Sequence, residues 1–142
     1  MTVYVLFNTY YDRVEGVYNA AGKAKKQEEL FDMALNKRTE YTNKLMQEIL
    51  ELRELRQPYI IEAETLLEKE NEAKEANDIN TLKGIRKQRK VLLRQAEHLT
   101  YDIKAKEEQI LAAERLLKSE IINQFGSRNY DWLDYPLEGA EY

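Results

Sequence analysis

Six cations and no acid crowd residues 79–96: Lys83, Arg86, Lys87, Arg89, Lys90 and Arg94 give this stretch a net +6. Such a run has two uses. It can contact the phosphates of a nucleic acid, or it can pair with acids on a neighbouring helix and fix the register between them. The preceding stretch, residues 61–78, carries seven acids against Lys69 and Lys74, a net −5. A chain reversal near Asp78 sets the two stretches side by side, residue i facing about 156 − i, so that Arg86 meets Glu70 and Arg94 meets Glu62. The register role is preferred. Residues 79–96 contain no aromatic on which single-stranded bases could stack, and exposed ion pairs add more to specificity than to stability.

The second candidate surface is aromatic. Seven of the ten tyrosines fall within residues 1–19 or 126–142, with Phe7 and Trp132 beside them. Tyr10, Tyr11, Trp132, Asp134 and Tyr135 are expected to form a partner-binding surface, because tyrosine and tryptophan are the side chains that interfaces favour. The competing use is to fill a small core. Asp131, Asp134, Glu138 and Glu141 against Arg128 make this stretch acidic, net −3, which suits a basic protein partner.

The residues for catalysis or metal binding are missing. There is no cysteine, which excludes a disulfide scaffold, a thiol nucleophile and Cys-ligated metal. The single histidine, His98, has Gln95 and Arg94 where a helical metal pair needs glutamate or histidine. Ser119 and Ser127 lie outside any Gly-x-Ser-x-Gly motif, and Gly22 and Gly84 are isolated. No enzyme, no metal and no cofactor are expected.

The elements that position these residues follow from composition and period. Of 142 residues, 34% are charged and 43% apolar, with a net charge of −4, five glycines and two prolines, which describes long helices. Steps of four and three from Phe31 to Ala73 meet nine apolar residues in thirteen, and from Leu82 to Glu120 nine in twelve. Two such stripes predict an antiparallel coiled-coil hairpin over 31–124, turning near Ala76–Asn80. Asn19 is the expected N-cap of the outgoing helix, and Pro58 should kink or break it. The return helix should run from about Thr81 to Gln124, on the order of 65 Å, with Gly126 at its C-terminus.

The termini, 1–30 and 125–142, are expected to build a small base. Thr2–Phe7 is apolar on both faces, as a covered central strand would be. Val14–Tyr18, with a bulge at Gly16, and Tyr130–Tyr135 complete a three-stranded antiparallel sheet. The fold class is therefore α+β and mostly helical. Leu50, Leu55, Ile60, Ile61 and Leu67 exceed the needs of a two-helix seam and predict a homo-oligomer, most simply a dimer. No window is apolar enough to span a membrane and no basic leader opens the chain, so a cytoplasmic protein is expected.

The opening VYVLFNTYYDRVEGVYNAAGKAKKQEEL resembles the start of small uncharacterised proteins of bacteria and their phages, and NYDWLDYPLEGAEY resembles their acidic aromatic closing strand. The resemblance covers about 40 residues at the two ends. It carries no catalytic residues and implies a phage or prophage source. The leading expectation is a non-catalytic protein–protein interaction module, a phage-encoded inhibitor of a bacterial host or defence protein such as a CRISPR-type nuclease. Nucleic-acid binding through the basic arm and a self-assembling coiled-coil scaffold are the alternatives.

Overall fold

A computed structural model describes residues 1–126 and 130–136. The elements run β1 (Thr2–Asn8), β2 (Arg13–Tyr18), α1 (Ala20–Glu75), α2 (Ile79–Glu114), α3 (Lys118–Phe125) and β3 (Tyr130–Pro136). About three quarters of the described residues are helical, and the strands form one antiparallel sheet built from the two ends of the chain, the α+β class expected. The chain divides into two compact units, Met1–Tyr41 with Ala113–Tyr142, and Thr42–Ala112.

In the first unit the strand order is β2-β1-β3. Leu6 pairs with Gly16 and Trp132, while Val5 pairs with Val17 and Leu133. Side chains alternate across a strand, so Tyr4, Leu6, Gly16, Tyr18, Trp132 and Asp134 share one face. That face meets the start of α1. Lys23 Nζ lies 4.3 Å from the Tyr4 ring centre and 5.6 Å from that of Trp132, and Leu6 is fully buried. The register slips between Leu6 and Phe7, which leaves Glu15 as the extra residue of a bulge beside Gly16. A Cβ on Gly16 would stand 2.6 Å from the Tyr18 hydroxyl oxygen, so glycine is what lets that ring lie flat on β2. Asn19 caps α1 as expected, its Oδ1 accepting the Gly22 N–H at 2.7 Å.

The predicted return helix is not continuous. It ends at Glu114 and restarts as α3, with Leu117 extended (φ −73°, ψ 161°). Leu117, expected in the seam, is 67% exposed, and Ile121 is buried in its place. Arg115–Leu117 hold no glycine, proline or capping side chain. The break serves packing instead: α3 sets Lys118 over the Phe31 ring at 4.8 Å and Phe125 against Tyr41 at 5.4 Å. Gly126 closes α3 with its N–H on the Ile122 carbonyl at 2.9 Å. It does so with an extended backbone rather than the left-handed one usual after a helix. A Cβ there would run into that same carbonyl oxygen.

In the second unit α1 and α2 run antiparallel against each other. Leu45, Ile49, Ile103 and Ile110 form its buried cluster, with Leu52 packed on it. Across both units, all thirteen residues of the predicted outgoing stripe are buried or half-buried, and so are the ten residues of the return stripe up to Ala113; Phe31, Leu35, Arg38 and Ala113 belong to the first unit. Cross-seam pairs confirm the register. Glu48–Lys106 (2.7 Å), Arg53–Glu107 (3.2 Å), Arg56–Thr100 (3.0 Å), Glu70–Arg86 (2.8 Å) and Glu70–Arg89 (3.1 Å) have numbers summing to 154–160, around the expected 156. The reversal uses Asn77 in the left-handed region (φ 53°). Its N–H donates to the Lys74 carbonyl and that of Asp78 to the Ala73 carbonyl, which satisfies the end of α1. Asp78 then caps α2, its Oδ1 accepting the Thr81 backbone N–H at 3.3 Å while its Oδ2 accepts the Thr81 hydroxyl at 2.7 Å, and these two hydrogen bonds hold its carboxyl below the usual range. Pro58 does not break α1, which is helical on both sides of it.

Arg86, through its hydrogen bond, holds the Glu70 carboxyl below its ordinary value of 4.5, and Lys106 does the same for Glu48. A carboxylate lowered in the folded state gives its full stabilisation above that ordinary value and loses it as pH falls through the lowered one. The melting temperature of the hairpin is therefore expected to fall as the solution is acidified below pH 4.5. In Arg86→Gln/Arg89→Gln the buried Glu70 has lost both ion-pair partners, so melting at neutral pH drops and adding Glu70→Gln restores much of it. Calorimetry across pH checks this. Equal melting of the double and triple variants at neutral pH would contradict it.

Candidate protein-interaction site

The turn between β1 and β2 presents two tyrosines on a fixed frame. Asn8, the last residue of β1, is buried, and its Oδ1 accepts the backbone N–H groups of Tyr10 and Tyr11, both at 3.0 Å. Asparagine at a strand end commonly folds the next residues in this way. Asp12 takes a left-handed φ of 53° and turns the chain back into β2. On the other side of Asn8, Nδ2 donates to Glu15 Oε1 at 3.1 Å. The same oxygen accepts from Arg13 Nε at 2.8 Å, and the Arg13 guanidinium lies 4.9 Å from the centre of the Tyr11 ring. Tyr11 meets Tyr10 edge to face, with ring centres 4.8 Å apart and planes at 86°. Hydrogen bonds from Arg13 and then Asn8 hold the Glu15 carboxyl below its ordinary value.

Tyr10 is 71% exposed and Tyr11 63%. Tyrosines on a hydrogen-bonded backbone offer large amphipathic contact area at little cost in side-chain entropy. Arginine and tyrosine are also the residues that dominate binding energy when a partner covers them.

The other expected binding residues lie elsewhere. Trp132 and Asp134 sit on the helix-facing side of β3. Trp132 packs edge-on against Tyr18 at 5.6 Å, and Asp134 is 4.0 Å from Lys23 Nζ. Tyr135 points to the opposite face. The five residues therefore occupy three places rather than one patch. Of the acidic set, Arg128, Glu138 and Glu141 lie outside the described residues. Asn8, Arg13 and Glu15, which hold the turn, were not among the expected site residues. Their signals are the asparagine closing a strand and the Arg-x-Glu spacing in β2.

The basic run is split as well. Arg86 and Arg89 both engage Glu70. Lys83, Lys87, Lys90 and Arg94 make no ion pair among the described residues. The expected Arg94–Glu62 pair does not form. Arg94 lies in an open groove with Arg86, Lys90 and Leu93, whereas Glu62 lies beside Lys87 and Val91, on the other flank of α2. His98 is exposed. Among the described residues no helix is long and apolar enough to cross a membrane.

No family model matches this chain, and no curated protein or solved structure matches it.

Proposed function

We propose that this chain is a non-catalytic protein–protein interaction module that binds its partner through the Tyr10–Tyr11 turn. The observation that carries the reading is the exposed, edge-stacked tyrosine pair, held by Asn8 and flanked by Arg13. Such a tip is organised before binding, so a partner meets it with little ordering left to do. The terminal resemblance to small phage and bacterial proteins supports a bacterial host or defence protein as the target, an inhibitory role, and action in the bacterial cytoplasm. On the same reading the chain self-associates.

The alternative, nucleic-acid binding by α2, draws support from four cations that make no ion pair among the described residues, Lys83, Lys87, Lys90 and Arg94. It requires binding that weakens steeply with salt, by a slope near −0.9 per duplex phosphate contacted. The engagement of Arg86 and Arg89 with the single carboxylate of Glu70 occupies two of the six cations and supports the protein-binding reading.

The test compares proteins captured from a bacterial lysate by the intact chain and by Tyr10→Ser/Tyr11→Ser. Both substitutions are at exposed turn positions, so unchanged circular dichroism is expected. The proteins specific to the intact chain should be lost from the variant, roughly a hundredfold in affinity for two tyrosine anchors. Equal capture by both would overturn the assignment.

A further inference from the structure

α2 turns Leu92, Ala96, Leu99 and Ile103 toward α1, where they are buried or half-buried. The opposite side of the helix carries a line of a different kind. Steps of four and three from Lys83 meet Lys87, Lys90 and Arg94, and seven residues further the same period meets Tyr101. At about 100° per residue these positions fall within about 60° of one another around the helix. All are exposed, and Tyr101 is 64% open to solvent. The four cations make no ion pair among the described residues.

The basic run itself holds no aromatic, but the face it belongs to does. Tyr101 lies about two turns past Arg94 in the same continuous helix. Lys104, also exposed, follows one turn on, so cations stand on both sides of the ring. Two acids border the line: Glu97 shares a groove with Arg94, and Glu62 of α1 lies beside Lys87.

We propose that this outer face of α2 binds single-stranded nucleic acid, with phosphates on Lys83, Lys87, Lys90 and Arg94 and a base stacked on Tyr101. The first argument is charge complementarity. The cations recur every 4.5–6 Å along the axis over roughly 16 Å, a line of one sign that suits a regularly charged polymer. The second is the tyrosine. An unpaired base stacks on an exposed aromatic whatever its sequence, whereas a duplex keeps its bases stacked on each other. An acidic protein segment would meet the cations but has no base to set on the ring. A bilayer is a poorer match, because the line holds no aliphatic side chain to enter it. The surface belongs to the second unit and the Tyr10–Tyr11 turn to the first. It is therefore a second binding surface and does not rest on the reading of the turn.

Fluorescence anisotropy of the full chain with a labelled DNA strand of about 15 nucleotides tests this. The strand should bind at micromolar protein in about 50 mM salt, and log K should fall with log salt by a slope of about −3, the value for four phosphates of a single strand. Lys87→Gln/Lys90→Gln should halve that slope. Tyr101→Ala should weaken binding about tenfold without changing the slope, and Tyr101→Trp should keep it. Tyr10→Ser/Tyr11→Ser should bind the strand as the intact chain does. Every substituted position is exposed, so unchanged circular dichroism is expected throughout. No binding in about 50 mM salt, or displacement of the strand by poly-glutamate as readily as by unlabelled strand, would overturn the proposal. Undiminished affinity in Tyr101→Ala, or tighter binding of the matching duplex, would overturn the assignment to single strands.

Discussion

Ile103→Ala should cost the second unit about 3 kcal/mol, the loss expected when a buried isoleucine leaves a cavity that its neighbours fill only in part. Ile103 is among the most buried residues of the seam and belongs to the cluster with Leu45, Ile49 and Ile110. Much of the rest of the seam is alanine: Ala63, Ala73 and Ala96 are buried there but supply little apolar area. The large side chains of that cluster therefore carry an unusual share of the stability. A domain holds roughly 5–15 kcal/mol in all, so one such substitution removes a large fraction. Urea titration followed by far-UV circular dichroism reads the effect. Leu111→Ala, at an exposed position of the same helix, should shift the midpoint little. Equal shifts for the two would mean that the seam is not where the energy lies.

Pro58→Ala should work in the opposite direction. Pro58 is exposed and has no N–H to donate to the carbonyl of Glu54, yet α1 is helical from Ala20 to Glu75. Proline in a helix interior costs about 3 kcal/mol relative to alanine. The substitution restores one backbone hydrogen bond and removes the clash, so stability should rise by about 2 kcal/mol. A fall would show that the backbone geometry imposed by Pro58 is needed for α1 to follow α2.

These effects concern the part of the molecule that the sequence describes best. A period of 3.6 leaves a strong trace over long helices, and the stripe from Phe31 to Ala73 is buried or half-buried at every position. The opposed blocks of −5 and +6 pointed to the register in part: Arg86 does meet Glu70, whereas Arg94 and Glu62 line different grooves. The break at Arg115–Leu117 left no local trace. It comes from the packing of α3 on α1, where Phe31 meets Lys118 and Tyr41 meets Phe125, and pairings so distant in sequence cannot be read from a window of residues. The division of the aromatic surface was legible in principle. Strand alternation puts Trp132 and Asp134 on one face and Tyr135 on the other, and grouping them by composition hid that parity. The Tyr10–Tyr11 pair was found from residue type alone. Its backbone is held by Asn8, whose side chain looks like ordinary turn chemistry until its two backbone bonds are seen.

The claim that the turn is the binding surface is tested most directly by cross-linking in a bacterial host. A photo-reactive phenylalanine analogue replaces Tyr10 in one variant and Tyr101 in another. Both positions are exposed aromatics, at 71% and 64%, but Tyr101 lies on α2 in the second unit. On irradiation the Tyr10 variant should give a discrete adduct of higher mass containing a second, different protein, and the Tyr101 variant should give none. An adduct from Tyr101 with none from Tyr10 would contradict the account and move the binding surface to the helical hairpin.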